Sequence, residues 1–248
     1  MLVTGLPQDN GRKTEIVDVE DSNFSCTNIE QFPVMLYAAS GGLMNGQTPF
    51  ICGGYGNING WTFSNECYQL TEAGSWDKDQ IATLTTPRER AGYGTVMFNN
   101  KLVLTGGYSD GKFLSSIEML SPNATAKTLS VQLPAGFSAH CQVPWDSDKF
   151  MVIGGMDGGY RDETYLINVK TNLRISGPKL NTARSDHACA ELHVNGKNLI
   201  IVTGGWNVRS TEILDKSNVG QGWQNGKNLK FYSIFVYLNI SISINFRR

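Results

Sequence analysis

The stretch Leu102-Val103-Leu104-Thr105-Gly106-Gly107-Tyr108 decides the fold, because the chain writes it repeatedly. Phe50-Ile51-Cys52-Gly53-Gly54-Tyr55 precedes it, and Met151-Val152-Ile153-Gly154-Gly155-Met156 and Ile200-Ile201-Val202-Thr203-Gly204-Gly205-Trp206 follow it. At the start, Leu2-Val3-Thr4-Gly5-Leu6 reads as a worn copy whose second Gly has become Leu. The first glycines stand at positions 5, 53, 106, 154 and 204, in steps of 48, 53, 48 and 50. Self-similarity at a period of about 50 residues marks a repeat architecture in which each copy is one supersecondary unit.

The repeat makes the 248 residues one domain over 1–225, followed by a divergent tail over 226–248. Hydrophobic residues make up 40% and charged residues 17%, the balance of a globular chain rather than a disordered one. The 27 glycines suit many short strands joined by tight turns. A net charge of −1 with no basic run excludes nucleic acid and anionic membrane as expected partners. The apolar segment Ile234 to Leu238 is broken by Asn239 and Ser241 and is too short for a membrane span. Met1 runs directly into a repeat without the basic and apolar regions of a signal peptide. Because it falls in mid-repeat, the expectation is an incomplete chain whose true start lies upstream.

Each repeat reads as four strands. The run before the glycines is apolar on consecutive residues, as a strand covered on both faces must be. The strand before it is joined by a polar turn: Asn99-Asn100, Asp146-Ser147-Asp148 or Asn195-Gly196. Third strands are expected at Thr14 to Val19, Glu66 to Leu70, Ser116 to Leu120, Thr164 to Asn168 and Ser210 to Leu214. Fourth strands are expected near Ser25-Cys26, Ser75-Trp76, Thr128 to Val131, Leu173 to Ile175 and Gly222-Trp223. The first strand opens at a recurring frame: Arg90-Ala91-Gly92-Tyr93 aligns with Arg184-Ser185-Asp186-His187, and Phe137-Ser138-Ala139-His140 aligns more loosely.

The doublets Gly53-Gly54, Gly106-Gly107, Gly154-Gly155 and Gly204-Gly205, Tyr68 and Tyr165 on third strands, Trp76 and Trp223 on fourth strands, and the Arg before the first strand resemble the kelch-repeat family. That resemblance implies an all-β fold, a β-propeller of four-stranded antiparallel blades around a central channel. About five blades are visible, fewer than the six or seven common in the family. Arg174 or its neighbour stands where a Trp is usual, and the first blade lacks its own first strand. The alternation Ile240-Ser241-Ile242-Ser243-Ile244 offers itself as that strand, closing the ring onto Leu2–Gly5.

The glycine doublets have a steric reading: Gly tolerates positive φ and the close approach of another backbone. Gly106-Gly107-Tyr108-Ser109-Asp110-Gly111-Lys112 fits the spacing of a phosphate loop, but Phe113 stands where Ser or Thr must hold magnesium, and a strand follows instead of a helix. His140-Cys141 and His187-Ala188-Cys189 recur because the repeats are equivalent, so they belong to different blades and make no metal site. No catalytic constellation and no cofactor motif rises above chance. If hairpin register sets Cys52 opposite Cys67, a disulfide closing 15 residues would contribute about 3 kcal/mol and require an oxidising compartment. The tripeptides at Asn23, Asn123 and Asn239 fit the glycosylation pattern. The Cys26, Cys52, Cys67 and His-Cys arrangement resembles extracellular kelch proteins of invertebrates; a cytoplasmic propeller with cysteines as small buried hydrophobes stays equally open.

The expected function is a non-enzymatic scaffold that binds another protein, since a propeller holds loops rigidly on one face. The candidate binding residues are Tyr108, Lys112, Arg161, Trp206 and Arg209 after the doublets, with Arg90 and Arg184 before the first strands. The alternative for Arg90 and Arg184 is that they bond backbone between blades. Two other functions stay open by resemblance: substrate recognition in a ubiquitin ligase, and a copper-oxidase-like propeller enzyme.

Overall fold

The computed structural model describes residues 30–44, 48–57, 60–77, 83–92, 96–98, 100–121 and 126–230, with the backbone of strands Leu2–Thr4, Thr14–Val17, Cys26–Asn28 and Ile242–Ile244. Gly5, Tyr93, Asn99, the three glycosylation tripeptides and the Cys26 side chain lie outside the described residues.

The strands fall into successive antiparallel sheets, one per repeat. Blade 1 holds Leu2–Thr4, Thr14–Val17 and Cys26–Asn28. Blade 2 holds Ser40–Met44, Thr48–Cys52, Cys67–Leu70 and Trp76–Asp77. Blade 3 holds Val96–Phe98, Lys101–Thr105, Ile117–Leu120 and Lys127–Thr128, and blade 4 Cys141–Pro144, Lys149–Ile153, Thr164–Asn168 and Leu173–Ser176. Blade 5 holds Ala188–Val194, Lys197–Thr203, Thr211–Asp215 and Gln224–Asn225. In blades 2 to 5, the strand before the doublet is the second of the repeat's four strands, as the repeat requires. The turn Asn195-Gly196 takes positive φ at both residues (50° and 75°), the geometry a two-residue hairpin demands.

The core lies between blades rather than within them. Strand side chains alternate faces, so one second strand serves two interfaces. Leu102 and Leu104 join Phe50, Cys52 and Leu84 between blades 2 and 3, whereas Val103 joins Phe137, Phe150 and Val152 between blades 3 and 4. Met151 and Ile153 then meet Cys189, Ile200 and Val202 between blades 4 and 5. Two hydrophobic interfaces per strand explain the unbroken apolar runs.

The doublets sit where these wedges meet. The first glycine abuts the connector leading into the next blade, and the second abuts the connector of its own blade. A Cβ on Gly53 would stand 2.6 Å from the Arg88 carbonyl, and one on Gly54 2.7 Å from the Tyr37 carbonyl. On Gly154 and Gly155 the distances are 2.7 Å to Arg184 O and 2.8 Å to Ser138 O. The approach makes bonds: the N–H groups of Gly54, Gly107 and Gly155 donate to the carbonyls of Arg88 (2.7 Å), Phe137 (3.0 Å) and Arg184 (2.9 Å).

Two disulfides are present. Cys52 and Cys67 are direct register partners on adjacent strands of blade 2. Cys141 and Cys189 join the inner strands of blades 4 and 5, with Cα atoms 6.0 Å apart. The sequence placed these cysteines in different blades without pairing them; inner strands of neighbouring blades lie close enough to be bridged. The tail also differs from expectation. Ile242–Ile244 pairs in parallel with Leu192–Val194, on the inner edge of blade 5, and not with Leu2–Thr4. That inner strand is seven residues long, and the tail takes the edge opposite Lys197–Thr203.

Gly196→Ala, in open space at φ +75°, is expected to cost about 1–2 kcal/mol through left-handed strain alone. Gly154→Ala, at φ +62° against Arg184, is expected to cost about 1–3 kcal/mol more. Urea unfolding of the two variants compares them directly. Alkylation before and after reduction should leave Cys52, Cys67, Cys141 and Cys189 protected until reductant is added. Removing the Cys141–Cys189 bond, which spans 48 residues, should cost about 4 kcal/mol.

Candidate functional site: the loop face of the propeller

The doublet loops and the connectors emerge at the same end of the blades and are stitched together there. Met35–Tyr37, Tyr55–Asn57 and Trp61–Phe63 form a small three-stranded sheet above blade 2. Glu89 bridges Tyr108, Ser138 bridges Met156, and the Trp206 N–H donates to Ser185 O at 3.0 Å. Just before the inner strands, Ala38, Arg90, Ala139 and Asp186 all hold φ of 52–53°. Each N–H in this series donates to the preceding member's carbonyl: Arg90 to Ala38 (2.9 Å), Ala139 to Arg90 (3.0 Å), Asp186 to Ala139 (2.9 Å). A left-handed conformation costly for non-glycine residues is thus repeated blade by blade and held by an arc of backbone bonds.

This arc corrects the alignment of the arginines. Arg90 is equivalent to Asp186, and the partner of Arg184 is Arg88, which the sequence reading passed over. Arg184 and Arg88 are both fully buried and make the same bonds. Arg184 Nη1 donates to Gly204 O (2.8 Å) and Ser210 O (2.9 Å), and Nη2 to Glu212 (2.6 Å). Arg88 Nη1 donates to Gly106 O (2.8 Å) and Ser116 O (3.3 Å), and Nη2 to Glu118. Each carboxylate also accepts two connector N–H groups: Thr85 and Thr86 on Glu118, Asn181 and Thr182 on Glu212. Arg184 is therefore not a binding residue of the face. Its guanidinium clamps the connector onto blade 5, within one blade rather than between two.

Arg161 is also turned inward. It lies over the Phe137 ring at 4.8 Å and pairs with Asp157 and with Glu163 (3.4 Å). Its side chain is only 14% exposed. Arg90 is partly exposed beside Glu89, while Lys112, Trp206 and Arg209 are exposed. Tyr108 is half-buried, as one ring in a surface the sequence reading missed. Tyr37, Trp61 and Tyr55 are stacked, with centroids 5.8 and 5.6 Å apart. Tyr55 then meets Phe63 (5.0 Å), Phe63 meets Tyr108 (6.0 Å), and Tyr108 meets Phe113 (5.2 Å). Six rings run continuously from the loops of blade 2 to those of blade 3, and Trp61 is 52% exposed. Tyr160 and Trp206 stand about half exposed on the loops of blades 4 and 5.

Two of the three histidines, His140 and His187, serve the blade junctions. His140 is wholly buried, with Nε2 2.6 Å from Thr105 Oγ1. The Thr105 hydroxyl gives its proton to Gln142 Oε1 at 2.7 Å, so it accepts from His140, which carries its proton on Nε2. Burial pulls both His140 and His187 down to about 3, and the Arg184 charge reinforces this at His187. Among the described residues, no three His, Cys, Asp or Glu side chains gather as a metal ion would need.

A histidine held near 3 when folded and near 6.5 when unfolded binds protons more readily in the unfolded chain. Stability is then complete above pH 6.5 and falls with acidification towards pH 3, by about 2 kcal/mol per histidine at pH 5. Urea midpoints between pH 7.5 and 5 should show this decline, and His140→Gln should make it shallower. Glu212→Gln, leaving Arg184 buried without its counter-charge, should cost about 3–5 kcal/mol.

Comparison with known proteins agrees with this geometry. The family model described as "Kelch motif" matches residues 89–124, from the Glu89 bridge through the third strand of blade 3. No curated protein matches the chain. Among solved structures, the one titled "Structure of YjhT" is similar over 88% of this chain and 78% of that one, at 16% identity and a TM-score of 0.72. At that identity the likeness speaks for the fold. Blades of one topology with doublets packed on connectors give this chain a β-propeller fold, and one of its blades matches the kelch motif.

Proposed function

We propose that the protein is a non-enzymatic scaffold that binds another protein through its loop face. The observation that carries this reading is the run of six aromatic rings from Tyr37 to Phe113, with Trp61 at its most exposed point. Tyr, Trp and Arg anchor interfaces because they bury large areas while losing few rotamers. Here the rings brace one another, so little ordering remains to be done on binding. Arg90, Lys112, Trp206 and Arg209 supply a mixed polar and aromatic surround on the same face. Two disulfides favour a chain that matures in an oxidising compartment, the extracellular one of the two readings.

Wild-type protein and a Trp61→Ala/Tyr108→Ala double variant, immobilised at equal density, should differ in the partners they retain. Each lost anchor is expected to weaken a retained partner by about 2 kcal/mol, roughly thirtyfold in affinity. Equal retention by both proteins would move the binding surface off this face.

A further inference from the structure

The outer strand of blade 4, Leu173–Ser176, is unlike those of blades 2, 3 and 5. Trp76–Asp77, Lys127–Thr128 and Gln224–Asn225 are two residues long and carry a charge or a polar pair. Leu173–Ser176 is four residues long and exposed throughout. Leu173 and Ile175, two residues apart and so on one face, are 59% and 58% exposed. Natural sheet edges are normally shortened or charged to prevent pairing with another chain; this one is long, and its one charged side chain, Arg174, is turned onto a backbone carbonyl of the chain's own.

The backbone pattern says which groups face outward. Val169 N–H donates to Asp148 O at 2.9 Å, so the odd-numbered residues of the third strand bond the second strand. Gly177 N–H donates to Thr164 O at 2.8 Å, so the even-numbered ones bond Leu173, Ile175 and Gly177. The N–H and C=O groups of Arg174 and Ser176 therefore point away from the blade. They have no bond partner among the described residues. The Arg174 guanidinium is already committed, donating to Gln132 O at 2.5 Å.

We propose that this edge pairs with the same edge of a second copy of the chain, antiparallel across a twofold axis through Ile175. That register sets Arg174 against Ser176 of the partner subunit and the reverse, closing four N–H···O=C bonds. Ile175 meets Ile175 of the partner subunit in a non-hydrogen-bonded pair, where side chains lie closest. Leu173 falls opposite Gly177 of the partner subunit, which has no side chain to oppose it. A shift of one residue sets outward groups against inward ones and forms no ladder. A shift of two in one direction sets Arg174 against Arg174 of the partner subunit, a like-charge pair that opposes association; in the other it sets Arg174 against Pro178 of the partner subunit, which has no N–H to give and leaves fewer bonds. Charge and hydrogen bonding thus select one register. Four residues a side bury far less than the ~1,200–2,000 Å² of a stable complex, so the dimer is weak and concentration-dependent.

Sedimentation equilibrium from about 1 µM to about 1 mM tests this, the expected constant lying in that range. Wild-type mass should rise towards twice the monomer. Ile175→Lys sets two charges face to face, and Ser176→Pro removes an outward N–H at an edge that tolerates proline. Each should weaken association at least tenfold, with far-UV circular dichroism and melting checked for both. Trp61→Ala, on the loop face, should leave it unchanged. A monomer across the whole range, or a dimer insensitive to both edge variants, would overturn the proposal.

Discussion

Backbone carbonyls of the connectors press against paired glycines between blades 2 and 3, 3 and 4, and 4 and 5, and the rest of the molecule is arranged around that approach. At Gly53, Gly54, Gly154, Gly155 and Gly205 the space for a Cβ is taken by a carbonyl oxygen 2.6–2.8 Å away. The same approach lets the second N–H of a doublet bond the next connector. Hydrophobic cores between blades then close at the same spacing, since the second strands of blades 3 and 4 each feed both of their flanking interfaces. A side chain at the doublet would separate connector and strand and loosen two packed layers at once.

The connectors are clamped by two kinds of chemistry in alternate blades. Blades 3 and 5 use the buried pairs Arg88–Glu118 and Arg184–Glu212. At the equivalent positions blade 4 has Phe137 beside Tyr165, with centroids 6.3 Å apart, and blade 2 has Leu36 clustered with Tyr68. Such interchange is physically reasonable, because a buried ion pair and a well-packed apolar pair of similar size differ little in net stability. The ionic version does one thing more. Its carboxylate also fixes two connector N–H groups, so the loop-face backbone is held by directional bonds as well as by packing.

That rigidity gives the aromatic surface its character. Tyr37, Tyr55, Trp61 and Phe63 stand on a three-stranded sheet above blade 2, and Tyr108 and Phe113 on a hairpin above blade 3. Both are anchored at their bases by doublets, through Gly54 against Tyr37 and Gly107 against Glu89. The rings hold their stack because the backbone beneath them has no freedom to spread.

The repeat, the order of strands in each blade and the equivalence of Trp76, Arg174 and Trp223 were legible in the chain. They depend on local periodicity and on glycine's unique tolerance of positive φ. The Cys52–Cys67 pair was legible for a related reason, since hairpin register is local. The arginine frame was not. Arg88-Glu89-Arg90 offers two arginines, and only the φ of 52° at Arg90 and the burial of Arg88 tell them apart. The Cys141–Cys189 bond, the continuous ring surface and the seat of the tail strand on blade 5 were decided by tertiary structure alone. Each joins segments from separate repeats or from loops with no period of their own. A sequence records that neighbouring wedges meet; which side chains they bring face to face follows from the angle and depth at which they pack.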